Sequence, residues 1–342
     1  MLVTGGAGFI GSHVVDHLIE QGHSVIVLDN LSGGLIKNVN PKAKFIKGSI
    51  NDEKLVDELV SQVDIIFHLA AYAAEGLSHF IRKFNYMNNL IGSINLINSA
   101  IRNKIECFVF TSSMAVYGAG KPPFDEEHIP HPEDPYGISK HAVEQDLKIA
   151  NKLYGLNYVI VRPHNIYGER QFLGDPYRNV ICIFINRIMQ NKSPVIYGDG
   201  EQTRAFSYIG DVAHCIANVP FVKEAQNQIT NLGSGKVYTL NKLATKIREK
   251  MGSNLEVIHA PERYEVKHAY TTTAKSERIF GFKDETSLDE GLNRTIVWAK
   301  EVGPMPPIVW GGYEIEHKLP EFWKELKRDF PDAPIRINIK DY

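Results

Sequence analysis

The chain has 342 residues, 43% hydrophobic and 23% charged, the balance of a soluble globular protein long enough for more than one domain. Its net charge of −2 and sequence pI of 6.7 argue against a nucleic-acid partner. No apolar run approaches the ~18–20 residues that span a bilayer, and no basic stretch precedes an apolar one at the N-terminus, so a cytoplasmic protein without a membrane partner is expected.

In chain order, "MLVTGG" predicts a first strand, a short one because only three residues precede Thr4. "GSHVVDHLIEQG" reads as a helix with Val14, Val15, Leu18 and Ile19 on one side. "HSVIVLDN", "AKFIKGSI", "VDIIFHLAA" and "CFVFTSS" predict strands two to five, with helices in "NDEKLVDELVSQ" and "FNYMNNLIGSINLINSAIRN" among them. "YGISKHAVEQDLKIANKLYG" is a further helix and "NYVIVRP" a sixth strand. Apolar strands without polar alternation, separated by helices, are parallel strands covered on both faces. The fold class is therefore α/β, a doubly wound parallel sheet of the Rossmann type with a smaller C-terminal α/β region. The division falls near residue 168. Beyond it, "GERQFLGDPYRN", "YGDGEQTRAFSYIGD" and "NLGSGKVYTL" read as loop-rich pieces between short helices. Residues 303–320, "GPMPPIVWGGYEIEHKLP", predict an ordered tail laid over the surface. Cys107, Cys182 and Cys215 lie far apart with no CxxC spacing and read as buried apolar residues, and the histidines are scattered, so no metal site is expected.

"TGGAGFIG" places Gly5, Gly8 and Gly11 between the first strand and the first helix. At that junction free backbone N–H groups and the helix dipole favour a pyrophosphate, and glycine lets the phosphates approach. Asp29 ends the second strand eighteen residues beyond Gly11. Its carboxylate can accept hydrogen bonds from a ribose and would repel a 2′-phosphate, so the expected cofactor is NAD rather than NADP. Residues 1–168 are then the NAD-binding region and 169–342 mainly the substrate-binding region and a C-terminal extension.

"TSSMAVYG" ends the fifth strand in three hydroxyls, Thr111, Ser112 and Ser113, at the carboxyl edge where ligands of such sheets sit. In "PYGISK", Tyr136 and Lys140 are four residues apart and share one helix face. Alone this pair is common helix decoration. After a hydroxyl cluster and a dinucleotide turn it reads as a tyrosine base whose phenolate is stabilised by an ammonium and by an oxidised nicotinamide.

Taken in order, "TGGAGFIG", "DNLS", "HLAA", "NNLIG", "TSSMAVYG", "YGISK", "RPHNIYG" and "GDGEQTRAFSYIGDV" resemble the extended short-chain dehydrogenase/reductases, and most closely the nucleotide-sugar 4-epimerases of the UDP-glucose type. The resemblance runs to about residue 300. It implies Ser113, Tyr136 and Lys140 as the catalytic set, with Ser113 on the sugar hydroxyl and Tyr136 the base. It implies backbone contacts to the pyrophosphate at Phe9 and Ile10, and cofactor contacts from Asn30, Ser49, Ile50, Leu69, Ala70, Ala71, Asn89 and His164, the last near the nicotinamide. Asn165, Arg204 and Arg263 would bind the nucleotide-diphosphate sugar. It further implies a homodimer through the helices of "FNYMNNLIGSINLINSAIRN" and Tyr136.

There are departures. Ser49 stands where many relatives carry an acid for the adenine, and Ala73 where some 4-epimerases carry a lysine. Sugar 4,6-dehydratases carry Asp-Glu after the serine-equivalent hydroxyl, and decarboxylating relatives a Glu at the second position. Here the pair is Met114-Ala115, which leaves oxidation and reduction at one carbon without an acid for elimination. The expected activity is epimerisation at C4 of a UDP-sugar such as UDP-glucose or UDP-galactose, through a transient 4-keto sugar. The alternatives are a reductase or dehydrogenase of the same fold and a non-catalytic NAD-binding sensor.

Overall fold

Seven runs of extended chain build the central sheet: β1 (Leu2–Thr4), β2 (Ile26–Asp29), β3 (Lys44–Lys47), β4 (Ile65–His68), β5 (Cys107–Thr111), β6 (Tyr158–Pro163) and β7 (Gln228–Leu232). The computed structural model describes residues 1–335 and 337–339, so the last residues of the expected C-terminal extension lie outside the described residues. The strands are all parallel, in the order β7-β6-β5-β4-β1-β2-β3. Alternate side chains feed two cores. Val3, Val27, Phe67, Val109 and Val159 enter one, and Leu2, Leu28, Ile66, Phe108 and Ile160 the other. Helices α1 (Phe9–Glu20) and, later in the chain, Ile209–Asn218 cover the first face. Helices α2 (Glu53–Val60), α3 (Gly92–Arg102) and α4 (Pro135–Tyr154) cover the second.

Six strands fall where the apolar runs predict them; β7 does not. It comes from beyond residue 168, out of a stretch read as loop-rich, and pairs along its full length with β6. The C-terminal half thus completes the sheet as well as leaving it. The reading missed β7 because the strand is polar: Thr230 and Asn231 are fully buried within it.

Local chemistry sets the helix ends. Asp52 caps α2 by accepting from Leu55 N at 3.1 Å. Asp134 caps α4 by accepting from Gly137 N at 2.9 Å, with Pro135 in the first helical position and Gly155 (φ +73°) closing the other end. The helix expected across "FNYMNNLIGSINLINSAIRN" is continuous but mixed: an α turn Arg82–Tyr86, a π turn Met87–Ile91, then α3. The tail is ordered, as expected, and more than a surface strap. Val309, Trp310, Leu319, Trp323 and Leu326 form a third core with Tyr72, Leu77, Phe84 and Tyr177. Among the described residues no helix is long and apolar enough to cross a membrane.

Candidate active site

The strand order reverses between β4 and β1, and a cleft of about 400 Å³ opens over the carboxyl ends of the strands there, where the topology of such sheets places ligands. On one side lies the turn from β1 to α1. Gly5 has φ +74°, and a Cβ there would lie 2.7 Å from Ala70 N; a Cβ on Gly11 would lie 2.2 Å from Gly5 O. Only glycine fits either position. The N-cap of α1 is Gly8, which offers no side-chain cap, and Gly8, Phe9, Ile10 and Gly11 line the cleft. This is a cradle for a pyrophosphate on first-turn amides. Asp29 at the end of β2 accepts from Ala7 N at 3.1 Å and Leu31 N at 2.8 Å, so its carboxylate is held at the cleft wall by main chain. Burial raises its pKa against these two bonds. Asn30, Ile50, Leu69, Ala70 and Ala71 line the same half. The residues present fit a dinucleotide.

At the centre stand the hydroxyls of "TSSMAVYG" and helix α4. Lys140 Nζ donates to Thr111 O at 2.8 Å and lies 5.8 Å from the centre of the Tyr136 ring. Ser113 lines the cleft with Tyr136 and accepts from Ala115 N at 3.1 Å. Thr111 Oγ1, buried at the cleft wall, has no hydrogen-bond partner among the described residues. Burial pushes the Tyr136 phenol up, the charge of Glu75 adds to this, and the Ser113 hydroxyl opposes it. Burial likewise pushes Lys140 down to about 7. Burial thus works against the lowering of the phenol that the Tyr–Lys spacing predicts. The positive charge of an oxidised nicotinamide would act in the same direction as the Lys140 ammonium, against that burial.

Behind these residues lies a support that the sequence reading missed. Ser112 donates to Glu144 Oε1 at 2.5 Å, Arg162 clasps Glu144 through two bonds of 2.9 and 2.6 Å, and Arg162 Nη1 donates to Tyr117, whose hydroxyl donates to Asn231 of β7. Burial would raise the Glu144 carboxyl, but the bonds from Arg162 and Ser112, with His141 close by, hold it down to about 2. The signal was available: Tyr136, Lys140 and Glu144 follow at four-residue intervals.

The other half of the cleft is rich in guanidinium groups. Arg204 donates to the carbonyls of Thr203, Lys267 and Val266, and Arg187 to Ser193 O, without an ion pair among the described residues. Arg263 pairs with Glu265 at 2.8 Å and Arg178 with Asp175 at 2.7 Å. Asn165 (φ +42°) faces the cleft and donates to Ala205 O at 3.0 Å. Glu75 also faces the cleft. It is solvent-accessible there, yet its enclosure by the cleft wall and the nearby Asp134 raise its pKa to about 7, against the pull of Arg204 and Arg263. Glu75, Arg178, Arg187 and Phe322, all on the cleft wall, carried no motif that the sequence reading used.

Three expected cofactor contacts do not line the cleft. Ser49 turns its hydroxyl to Asn51 N. Asn89 is buried beneath the wall, accepting from Tyr72 N and donating to Tyr72 O, so it shapes the segment after β4. His164, expected near the nicotinamide, is buried between Ser234 O at 2.7 Å and Thr271 Oγ1 at 3.0 Å, and burial lowers its pKa to about 4. It ties β6 to the loop after β7.

Residues 1–233 match the family described as "NAD dependent epimerase/dehydratase family". The chain is 42% identical over 306 residues to a putative UDP-glucose 4-epimerase of Methanocaldococcus jannaschii, covering 88% of this chain and 98% of the relative. It is 33% identical over 320 residues to a UDP-N-acetyl-alpha-D-glucosaminuronate decarboxylase of Bacillus cytotoxicus, covering 88% and 98%. The crystal structure of the Thermotoga maritima UDP-glucose 4-epimerase with UDP-glucose superposes with a TM-score of 0.82 at 37% identity, covering 88% of this chain and 98% of that one. From the glycine cradle, the Ser-Tyr-Lys centre and these likenesses together, the chain belongs to the NAD-dependent epimerase/dehydratase family of extended short-chain dehydrogenase/reductases.

Proposed function

We propose that the protein epimerises a UDP-sugar at C4, with UDP-glucose/UDP-galactose or a near relative as substrate. The observation that carries this reading is the pair after Ser113: Met114 and Ala115 offer no acid or base, so the centre has equipment for oxidation and reduction at one carbon and none there for losing water or carbon dioxide. NAD, when bound along the glycine turn and Asp29, supplies the acceptor and donor of hydride. The residues of the chain do the rest. Tyr136 takes the proton of the C4 hydroxyl and later returns one, Ser113 orients that hydroxyl, and Lys140 steadies the phenolate and the cofactor ribose. Arg204 and Asn165 hold the diphosphate while the 4-keto sugar presents its other face. Arg187 and Arg204, the cleft guanidinium groups without an ion pair among the described residues, match the two charges of a diphosphate.

A second reading follows from Glu75. A cleft carboxyl with a pKa of about 7 can supply a proton in an elimination, and relatives include a decarboxylase. One experiment separates the two. With a UDP-hexose deuterated at C4, epimerisation gives the C4 epimer with the label still at C4; a 4-keto-6-deoxy product with label at C6 would make the protein a dehydratase. Carbon dioxide released from a UDP-uronate would make it a decarboxylase. Label lost to free cofactor would make it a dehydrogenase, and unchanged substrate across a panel of nucleotide sugars would favour a sensor. We also infer a cytoplasmic homodimer through α4 and the helix before it, where Ile138, Ile149 and Leu153 remain 41%, 55% and 63% exposed; a monomer's mass in dilute solution would contradict this.

A further inference from the structure

Three arginines on the substrate side of the cleft rest, directly or through one residue, on aromatic rings of the C-terminal tail. Arg187 lies 4.9 Å from the centre of the Phe322 ring. Arg263 lies 5.6 Å from that of Trp323 and 4.6 Å from that of Tyr197. Arg178 lies 4.5 Å over Tyr72, whose hydroxyl accepts from Trp310 Nε1 at 3.2 Å and donates to Asp175, the ion partner of Arg178. Phe322 itself lines the cleft. The tail is anchored away from these contacts, through the Glu314 carboxylate accepting from Lys83 N at 2.7 Å and Phe84 N at 2.9 Å. The relatives cover 98% of themselves and 88% of this chain. About an eighth of the chain is thus extra, close to the share lying beyond residue 302.

We propose that this tail is the outer wall of the substrate site, and that Phe322 is a positioning residue that aims Arg187 at the diphosphate of the nucleotide sugar. The inference rests on the UDP-sugar reading above. The physics is specific: held over the Phe322 ring with its Nε on Ser193 O, the Arg187 guanidinium loses torsional freedom but keeps its two terminal nitrogens for phosphate oxygens. A guanidinium so restrained binds an anion without having to be ordered first. Arg187 shows the need most clearly. It has no carboxylate partner among the described residues; Ser193 O and the Phe322 ring are what fix it.

The test uses the full chain with NAD bound and UDP as the probe. Removing the tail outright would expose the third core, so the variant is Phe322→Leu, at a half-buried position. We expect UDP affinity to fall about fivefold, with KM for the sugar nucleotide rising in step while kcat and NAD affinity hold. Phe322→Tyr, which restores a ring face, should return UDP affinity to within about twofold of the parent. Phe322→Leu with UDP affinity equal to the parent overturns the proposal, as does a fall that Phe322→Tyr fails to rescue. If the parent with NAD bound does not bind UDP at all, the UDP-sugar reading falls and takes this inference with it.

Discussion

The two halves of the cleft are made of different material. The cofactor half is main chain: a turn too tight for any side chain at Gly5 and Gly11, first-turn amides of α1, and a carboxylate on Asp29 aimed by two backbone N–H groups. The substrate half is side chain: guanidinium groups brought from Arg178, Arg187, Arg204 and Arg263 and braced by carbonyls, carboxylates and rings far away in sequence. Main chain is the same for every residue type, so a cradle built from it must be kept by its glycines and tolerates one ligand. Side chains can be exchanged one at a time, so the same frame can accept different sugars.

The largest effect should come at the seam between the halves. Tyr136→Phe keeps the ring and removes the base, so kcat should fall by ~10²–10⁴ with NAD affinity retained; a fall below tenfold in steady-state assays would remove Tyr136 from that role. Next comes the support behind the cofactor half. Glu144→Leu leaves Arg162 charged, buried and unpaired, and should destabilise the fold by about 3–5 kcal/mol in denaturant titration. The pair has a pH signature. The folded carboxyl titrates at about 2, below its ordinary value, so its stabilisation is present above about pH 4 and is lost as pH falls towards 2; the variant should lack this acid limb.

Asp29→Ala should act on one half only, narrowing the preference for NAD over NADP in direct titrations while leaving UDP affinity as it was. A change in UDP affinity would show that the halves are not independent. The smallest effect belongs to Glu75→Gln. The negative charge of Glu75 raises the Tyr136 phenol, and the base must be deprotonated to act. Neutralising it should move the acidic limb of the kcat/KM profile to lower pH by a fraction of a unit; a collapse of kcat comparable to that of Tyr136→Phe would mean instead that Glu75 itself acts as the base.

The same contrast decides what could be read in advance. Gly5, Gly8, Gly11 and Asp29 were legible because a backbone cradle leaves its mark at fixed spacing, and Tyr136 and Lys140 because four residues make one helix face. Arg204 and Arg263 were reached by resemblance, and both line the cleft. The partners of His164 could not be read, since a residue at a strand end can turn either way and only the fold shows that Ser234 and Thr271 claim its ring. Arg187 and Phe322 were out of reach because they meet across most of the C-terminal half of the chain. β7 was missed because Asn231 is kept polar by its bond with Tyr117, so the strand has no apolar run to find.

That late strand also bears on how the protein is made. β6 is flanked by β5 on one side and by β7 on the other, and β7 is not synthesised until after Asn227. On the ribosome, a nascent chain ending near residue 168 therefore holds β6 as a bare edge, with a row of unpaired amides and carbonyls ready to pair with another chain. Expressed alone, residues 1–168 should aggregate despite carrying the whole glycine turn and Ser-Tyr-Lys centre. The nucleotide half is a unit of chemistry, but its folding must wait for the segment that follows.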